Sequence, residues 1–183
     1  MKRNGSDTAG AGRVQRVAII GAGPAGCTLA AFLADAGVEV TLFETGDRPD
    51  LVVGESTLPA MVSTLRRLGI EEQVASTSVL KPGACFVFRD QRFVQLCFSQ
   101  VEGTLPTYAY NVNRKVFDEL LSVRAEEAGA HRVCHRAGIK AEEGDRLALD
   151  AESLAAAGGD YAKGRQPDLL IDATGRSRLF ARA

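Results

Sequence analysis

Apolar positions along this chain follow two rhythms, and they alternate in a set order. Arg13 to Ile20 (Arg-Val-Gln-Arg-Val-Ala-Ile-Ile) is β-branched, mostly apolar and bounded by glycine, which predicts a buried strand. Gly21-Ala22-Gly23-Pro24-Ala25-Gly26 follows directly, and Cys27 to Ala34 then reads as a small, apolar helix ended by Gly37. Val38 to Phe43 predicts a second strand, closed by Glu44. The three pieces make a βαβ unit. Further on, Pro59 opens a helix running through Leu65 and Leu68 to Gly69, with Ser56 or Thr57 as its cap. Ala84–Asp90 and Arg92–Ser99 predict two strands joined around Asp90-Gln91. Asn113 caps a helix over Arg114–Ala128, whose positions Val116, Phe117, Leu120, Leu121, Val123 and Ala125 form one buried stripe. Between Arg132 and Gln166, short pieces with interspersed glycines predict a β-meander and hairpin; Ala151 to Ala157 fits a helix or a loop equally. Pro167 to Ile171 is another apolar strand with Asp172 at its end, and the last residues enter a helix.

Composition narrows the class without naming it. The chain has 183 residues, 45% of them hydrophobic, and 22 Lys and Arg against 23 Asp and Glu give a net charge of -1. This is an ordinary globular composition, so disordered, collagenous and coiled-coil classes are out. The charge balance gives no reason to hold nucleic acid or an anionic membrane. No apolar run approaches the roughly 18 residues of a membrane span. Cys27, Cys85, Cys97 and Cys134 are scattered without CxxC spacing, and no secretory signal opens the chain, so reduced thiols in the cytoplasm are expected. Residues 1–13 read as a flexible tail, and 14–183 as the domain.

The βαβ unit has specific chemistry. Gly21 permits the tight turn out of the strand, Gly23 lets backbone approach a pyrophosphate, and Gly26 lets the helix pack against the sheet. Pro24 and Ala25, in the same turn, are expected to contact the cofactor with these glycines, and the phosphates sit against the positive end of the helix that follows. Glu44, 23 positions after Gly21, can accept hydrogen bonds from ribose hydroxyls and would repel a 2′-phosphate. Dinucleotide binding on a doubly wound α/β sheet follows. Arg48 either reaches the adenosine or pyrophosphate side or is a solvated loop cation. The motif alone leaves NAD and FAD open.

The glycine motif with Glu44 resembles the N-terminal FAD-binding motif of the flavoprotein monooxygenases related to para-hydroxybenzoate hydroxylase. Gly54-Glu55-Ser56-Thr57-Leu58-Pro59 is similar to the GES-x-x-P segment of the flavin-dependent halogenases. Arg114-Lys115-Val116-Phe117-Asp118-Glu119-Leu120-Leu121 resembles the family's R-x-x-F-D-x-x-L helix, and Asp172-Ala173-Thr174-Gly175 its strand-end turn. The resemblance implies a Rossmann-like FAD-binding fold with an inserted β-meander and antiparallel sheet. It implies FAD contacts from Gly54, Glu55, Ser56, Arg114, Asp172 and Gly175. Read without it, Gly54 to Pro59 is a loop before a capped helix, and Arg114 is a cation in a first helical turn, where the dipole disfavours it.

Lys81 stands in Lys81-Pro82-Gly83-Ala84-Cys85-Phe86, similar to the stretch where halogenases keep their active-site lysine. The resemblance implies that reduced FAD and O2 give a C4a-hydroperoxide and then hypohalous acid, which the Lys81 ammonium binds or captures. A solvated turn lysine is the plain alternative. A metal is not expected: His131, Cys134 and His135 lie on a strand without further ligands. The family's downstream FAD motif and its W-x-W-x-I-P signature are absent, so the chain reads as an incomplete, truncated copy. The expected function is a flavin-dependent halogenase of secondary metabolism, such as antibiotic biosynthesis, acting on an aromatic or carrier-bound substrate with a separate flavin reductase. A flavin-dependent hydroxylase, or a non-catalytic FAD-binding fragment, is the alternative.

Overall fold

The computed structural model describes residues 14–46, 54–89, 92–142, 144 and 146–182. The expected tail over 1–13, Arg48 and the Asp90-Gln91 junction lie outside the described residues.

The first βαβ unit forms as its pattern predicts: β1 (Arg16–Ile20), α1 (Pro24–Asp35) and β2 (Glu39–Glu44). Then come α2 (Pro59–Leu68), α3 (Glu71–Ser76), β3 (Ser78–Lys81), β4 (Gly83–Val87), β5 (Phe93–Cys97) and β6 (Ala109–Val112). The chain continues through α4 (Arg114–Glu127), β7 (His131–Cys134), β8 (Ile139–Glu142), β9 (Arg146–Leu149), α5 (Ala151–Ala157) and β10 (Leu169–Asp172). A parallel four-stranded sheet in the order β10-β1-β2-β7 is the frame.

The central strands β1 and β2 are buried on both faces and are mostly apolar, whereas the edge strands β7 and β10 are more exposed. Val17, Ile19, Val40 and Leu42 point to the side covered by α1 and α4, with α2 and α3 beyond. Ala18, Ile20 and Phe43 point to the other side, where β8–β9 and α5 supply Leu149, Leu154 and Ala157. The second cover is thus a hairpin with a short helix. β7 joins the main sheet as a parallel strand, so the expected meander resolves into β7 plus the separate β8–β9 hairpin. The undecided segment is helical because Asp150 accepts a hydrogen bond from Ser153 N at 2.8 Å and so caps α5.

Three local expectations need correction. The cap position of α2 is Leu58, which makes no side-chain cap bond; the Thr57 hydroxyl is committed to Tyr110 instead. On α4, Phe117, Leu121 and Ala125 share the buried line, whereas Val116 and Val123 lie on its flanks, 38% and 40% exposed. The last described residues make two 3-10 turns, Gly175–Ser177 and Phe180–Arg182, rather than a helix. The Asn113 cap forms as expected, its side chain accepting from Lys115 N and Val116 N. No helix among the described residues is long and apolar enough to cross a membrane.

Candidate functional site

Sheet order reverses at β1: α1 leads the chain to β2 on one side, and β10 lies on the other. Crevices outside the carboxyl ends of strands at such a switch point are the usual ligand sites of open α/β sheets. Here the crevice is walled by two turns, Gly21–Gly26 after β1 and Ala173–Gly175 after β10.

The glycines differ in what they do. Gly21 has φ +112°, and a Cβ there would stand 2.5 Å from Ala173 O, so the turn needs glycine on both counts. A Cβ on Gly26 would overlap the Gly21 carbonyl oxygen, which locks α1 against the turn. A Cβ on Gly23 would meet nothing within 4 Å. That open space fronts the α1 N-terminus, where Gly23 occupies the cap position without a side-chain bond, Pro24 follows, and no acid stands in the first turn. Backbone N–H groups and the helix dipole together favour an anion at this place.

A depression of about 450 Å³ opens beside it, lined by Ala25, Asp172, Ala173, Gly175, Arg178, Phe180 and Ala181. Asp172 shapes this wall. Its carboxylate accepts from Thr174 N at 2.9 Å, Thr174 Oγ1 at 2.6 Å and Phe180 N at 2.9 Å. Burial alone would raise its pKa, but these hydrogen bonds outweigh burial and hold it below the ordinary carboxylate value. Asp172 therefore holds the turn together through its own bonds, while Gly175 lines the depression directly. Arg178 also lines it, with the left-handed backbone φ of +47°. No periodicity in the sequence marks it.

Glu44 ends β2 with its side chain 14% exposed and pairs with Arg132 Nη1 at 3.4 Å. Arg132 is in turn anchored on α4, to Ser122 Oγ at 3.1 Å and Glu126 at 3.2 Å. The carboxylate at the strand tip is thereby oriented from a neighbouring strand and helix. Arg132 is read only from three-dimensional pairing, since β7 lies 90 residues after β2 in register, with Arg132 opposite Leu42.

A second cluster gathers residues remote in sequence. Arg114 donates to both Asp118 oxygens, at 2.9 and 3.0 Å, so the cation that the helix dipole disfavours is held by a partner one turn on. Its guanidinium lies against Gly54, where a Cβ would come 2.9 Å from Nη1 and where φ is +106°. Glu55 and Ser56 lie along β6: Val112 N donates to Glu55 O at 2.7 Å, and Ser56 forms a bridge with Asn111. Lys81 ends β3 with Nζ 2.9 Å from Thr57 O and 5.4 Å from the centre of the Phe98 ring. It is a half-buried, partnered cation rather than a solvated turn residue. Among the described residues, no group of three or more His, Cys, Asp and Glu is placed to hold a metal ion.

The sheet, the glycine turn at the switch point and the oriented acid together define a dinucleotide-binding α/β domain. A family model described as FAD binding domain matches residues 14–175, so the chain belongs to that family, and FAD is its cofactor. The question between NAD and FAD closes there. The chain is 32% identical over 91% of its length to a flavin-dependent halogenase, armH4, of Armillaria mellea. It is 29% identical over 91% of its length to a 1H-pyrrole-2-carbonyl-(peptidyl-carrier protein) chlorinase of Pseudomonas fluorescens. A solved structure, the flavin-dependent halogenase CmlS, superposes on 73% of the chain with 35% identity and a TM-score of 0.62, over 25% of its own length. The chain spans 33% and 40% of the two curated relatives.

Proposed function

We propose that this chain is the flavin-binding part of a flavin-dependent halogenase acting on an electron-rich aromatic or carrier-bound substrate, with reduced flavin delivered by a separate reductase. One observation carries the reading. Lys81 Nζ, in the stretch that resembles the halogenases' lysine segment, bonds the carbonyl of Thr57, inside the segment that resembles their GES-x-x-P, across 24 residues of sequence. The halogenase relatives and the family match support it from a different direction.

In this reading the amides at Gly23 and the α1 N-terminus hold the pyrophosphate, and Glu44 accepts from the adenosine ribose. Gly54, Glu55, Ser56 and Arg114 border the flavin ring, while Asp172 and Gly175 wall the pyrophosphate crevice across from the glycine turn. Bound and reduced, FAD supplies the oxygen chemistry that turns halide into hypohalous acid. Lys81 then acts as the catalytic residue. Its Nζ donates a proton in a hydrogen bond to the hypohalous oxygen and so aims the halogen at substrate carbon. As the carbon–halogen bond forms, the O–X bond breaks and that proton completes water. The proton lost from the substrate ring restores the ammonium. A cation half-shielded from water strengthens this interaction.

The test supplies the protein with FAD, a flavin reductase, NADH, halide and a phenolic substrate, and follows products by mass spectrometry. Halide-dependent halogenated product, lost in Lys81→Ala with FAD affinity unchanged, is the expected result. Product unchanged in that variant removes the role of Lys81. Oxygenated product without halide favours a hydroxylase, and tight FAD with no product a non-catalytic module.

A further inference from the structure

We propose that Thr57 is the positioning residue for Lys81: its hydroxyl clamps the loop to β6 so that its own carbonyl stands at the Lys81 ammonium. The inference rests on the reading of Lys81 above and adds a residue to it. Three hydrogen bonds converge from Thr57 on Tyr110. Thr57 N donates to Tyr110 O at 3.0 Å, Thr57 Oγ1 donates to the same oxygen at 2.7 Å, and Tyr110 N donates to Thr57 Oγ1 at 3.0 Å. The side chain thus takes over a ladder bond that backbone alone would make. The Thr57 N–H and its side chain are thereby both held on β6, which fixes the α-carbon from which the carbonyl projects.

β6 pairs with β3 on its other edge, with Leu80 opposite Tyr110 and Lys81 opposite Ala109. The Lys81 side chain therefore reaches across β6 to a carbonyl on the far side, 2.9 Å from Nζ. An ammonium on four methylenes is flexible, and fixing its head costs side-chain entropy. A rigid acceptor at one end and the Phe98 ring, 5.4 Å from Nζ, at its side fix the head. The carbonyl uses one of three N–H donors and leaves two for an oxygen ligand.

Acylation by a water-soluble N-hydroxysuccinimide acetate, read by peptide mass spectrometry, tests the clamp. The readout is the rate at Lys81 divided by that at the exposed Lys140. Thr57→Val should raise the ratio severalfold, and Thr57→Ser, which keeps the hydroxyl, should leave it at the starting value. Thr77→Val controls for loosening in general, because the Thr77 hydroxyl bonds Gln73 and Val74 carbonyls just before β3; it should leave the ratio unchanged. An unchanged ratio in Thr57→Val, the same rise in Thr57→Ser, or an equal rise in Thr77→Val overturns the proposal. If Thr57→Val does not unfold cooperatively, Thr57→Cys keeps the volume, weakens both hydroxyl bonds and carries the same expectation. Because labelling needs no turnover, the clamp and the halogenase reading fail separately: a ratio that responds as expected beside a Lys81→Ala variant with unaltered product sinks only the latter.

Discussion

Two regions of this chain use the same apolar side chains to opposite effect. In the four-stranded sheet Phe43 is 1% exposed, covered by Leu149 and Leu154 on the hairpin-and-helix side. In the β4–β5 ribbon Phe93 is 67% exposed and Val87 76%, among strands that pair only with each other among the described residues. Apolar sequence is therefore not itself a core. A strand becomes core when elements close over both faces, and in this chain the closed sheet carries at its strand ends the crevice proposed for the cofactor. The sheet is a rigid mount, and the ribbon is an open surface carried at the end of the Lys81 strand.

The largest expected break in that contrast is in stability. Phe43→Ala should cost about 3–5 kcal/mol, from lost burial plus the cavity left behind, measured by urea unfolding. Gly26→Ala comes next: the new Cβ forces α1 away from the Gly21 turn and should cost about 1–3 kcal/mol, with weaker FAD binding in titration. Glu44→Ala should leave the fold intact and weaken FAD by about 1–3 kcal/mol through lost charge-assisted hydrogen bonds; unaltered affinity would remove the ribose role. Acid sharpens the same wall. The pKa of Asp172 is lowered in the fold, so its contribution is complete above the ordinary value of about 4 and fades as pH falls through the lowered one. Asp172→Asn should flatten that acid-side loss in unfolding midpoints. Smallest of all, Phe93→Ala should change stability by no more than about 0.5 kcal/mol.

Much of the mount was legible in sequence because its signals are local. The strand, the glycine turn, the helix and Glu44 fall within 31 consecutive positions from Val14 to Glu44, and each piece needs only its neighbours to form. Asn113 was legible as a cap for the same reason. What escaped depends on distant partners. Thr57 looked like a helix cap because it precedes Pro59, and only the approach of β6 gives its hydroxyl a better use. Arg132 carries no periodic mark, since it meets Glu44 only through the pairing of β7 with β2, and Arg178 reaches the depression only through the turn after β10; Asp118, by contrast, is an i,i+4 partner of Arg114 within one helix. The α4 stripe was drawn too wide because apolar residues at flanking positions still leave partly exposed surface. Lys81 was singled out through family resemblance, while its acceptor became visible only in three dimensions.

The most direct measurement is an equilibrium titration of the purified chain with FAD, followed by the flavin absorbance band and repeated with Gly26→Ala and Glu44→Ala. Saturable binding with a shifted, structured band, weakened in both variants, is the expected result. A chain that unfolds cooperatively yet binds no FAD, or binds it equally well in all three forms, would contradict the placement of the cofactor at the β1–β10 crevice.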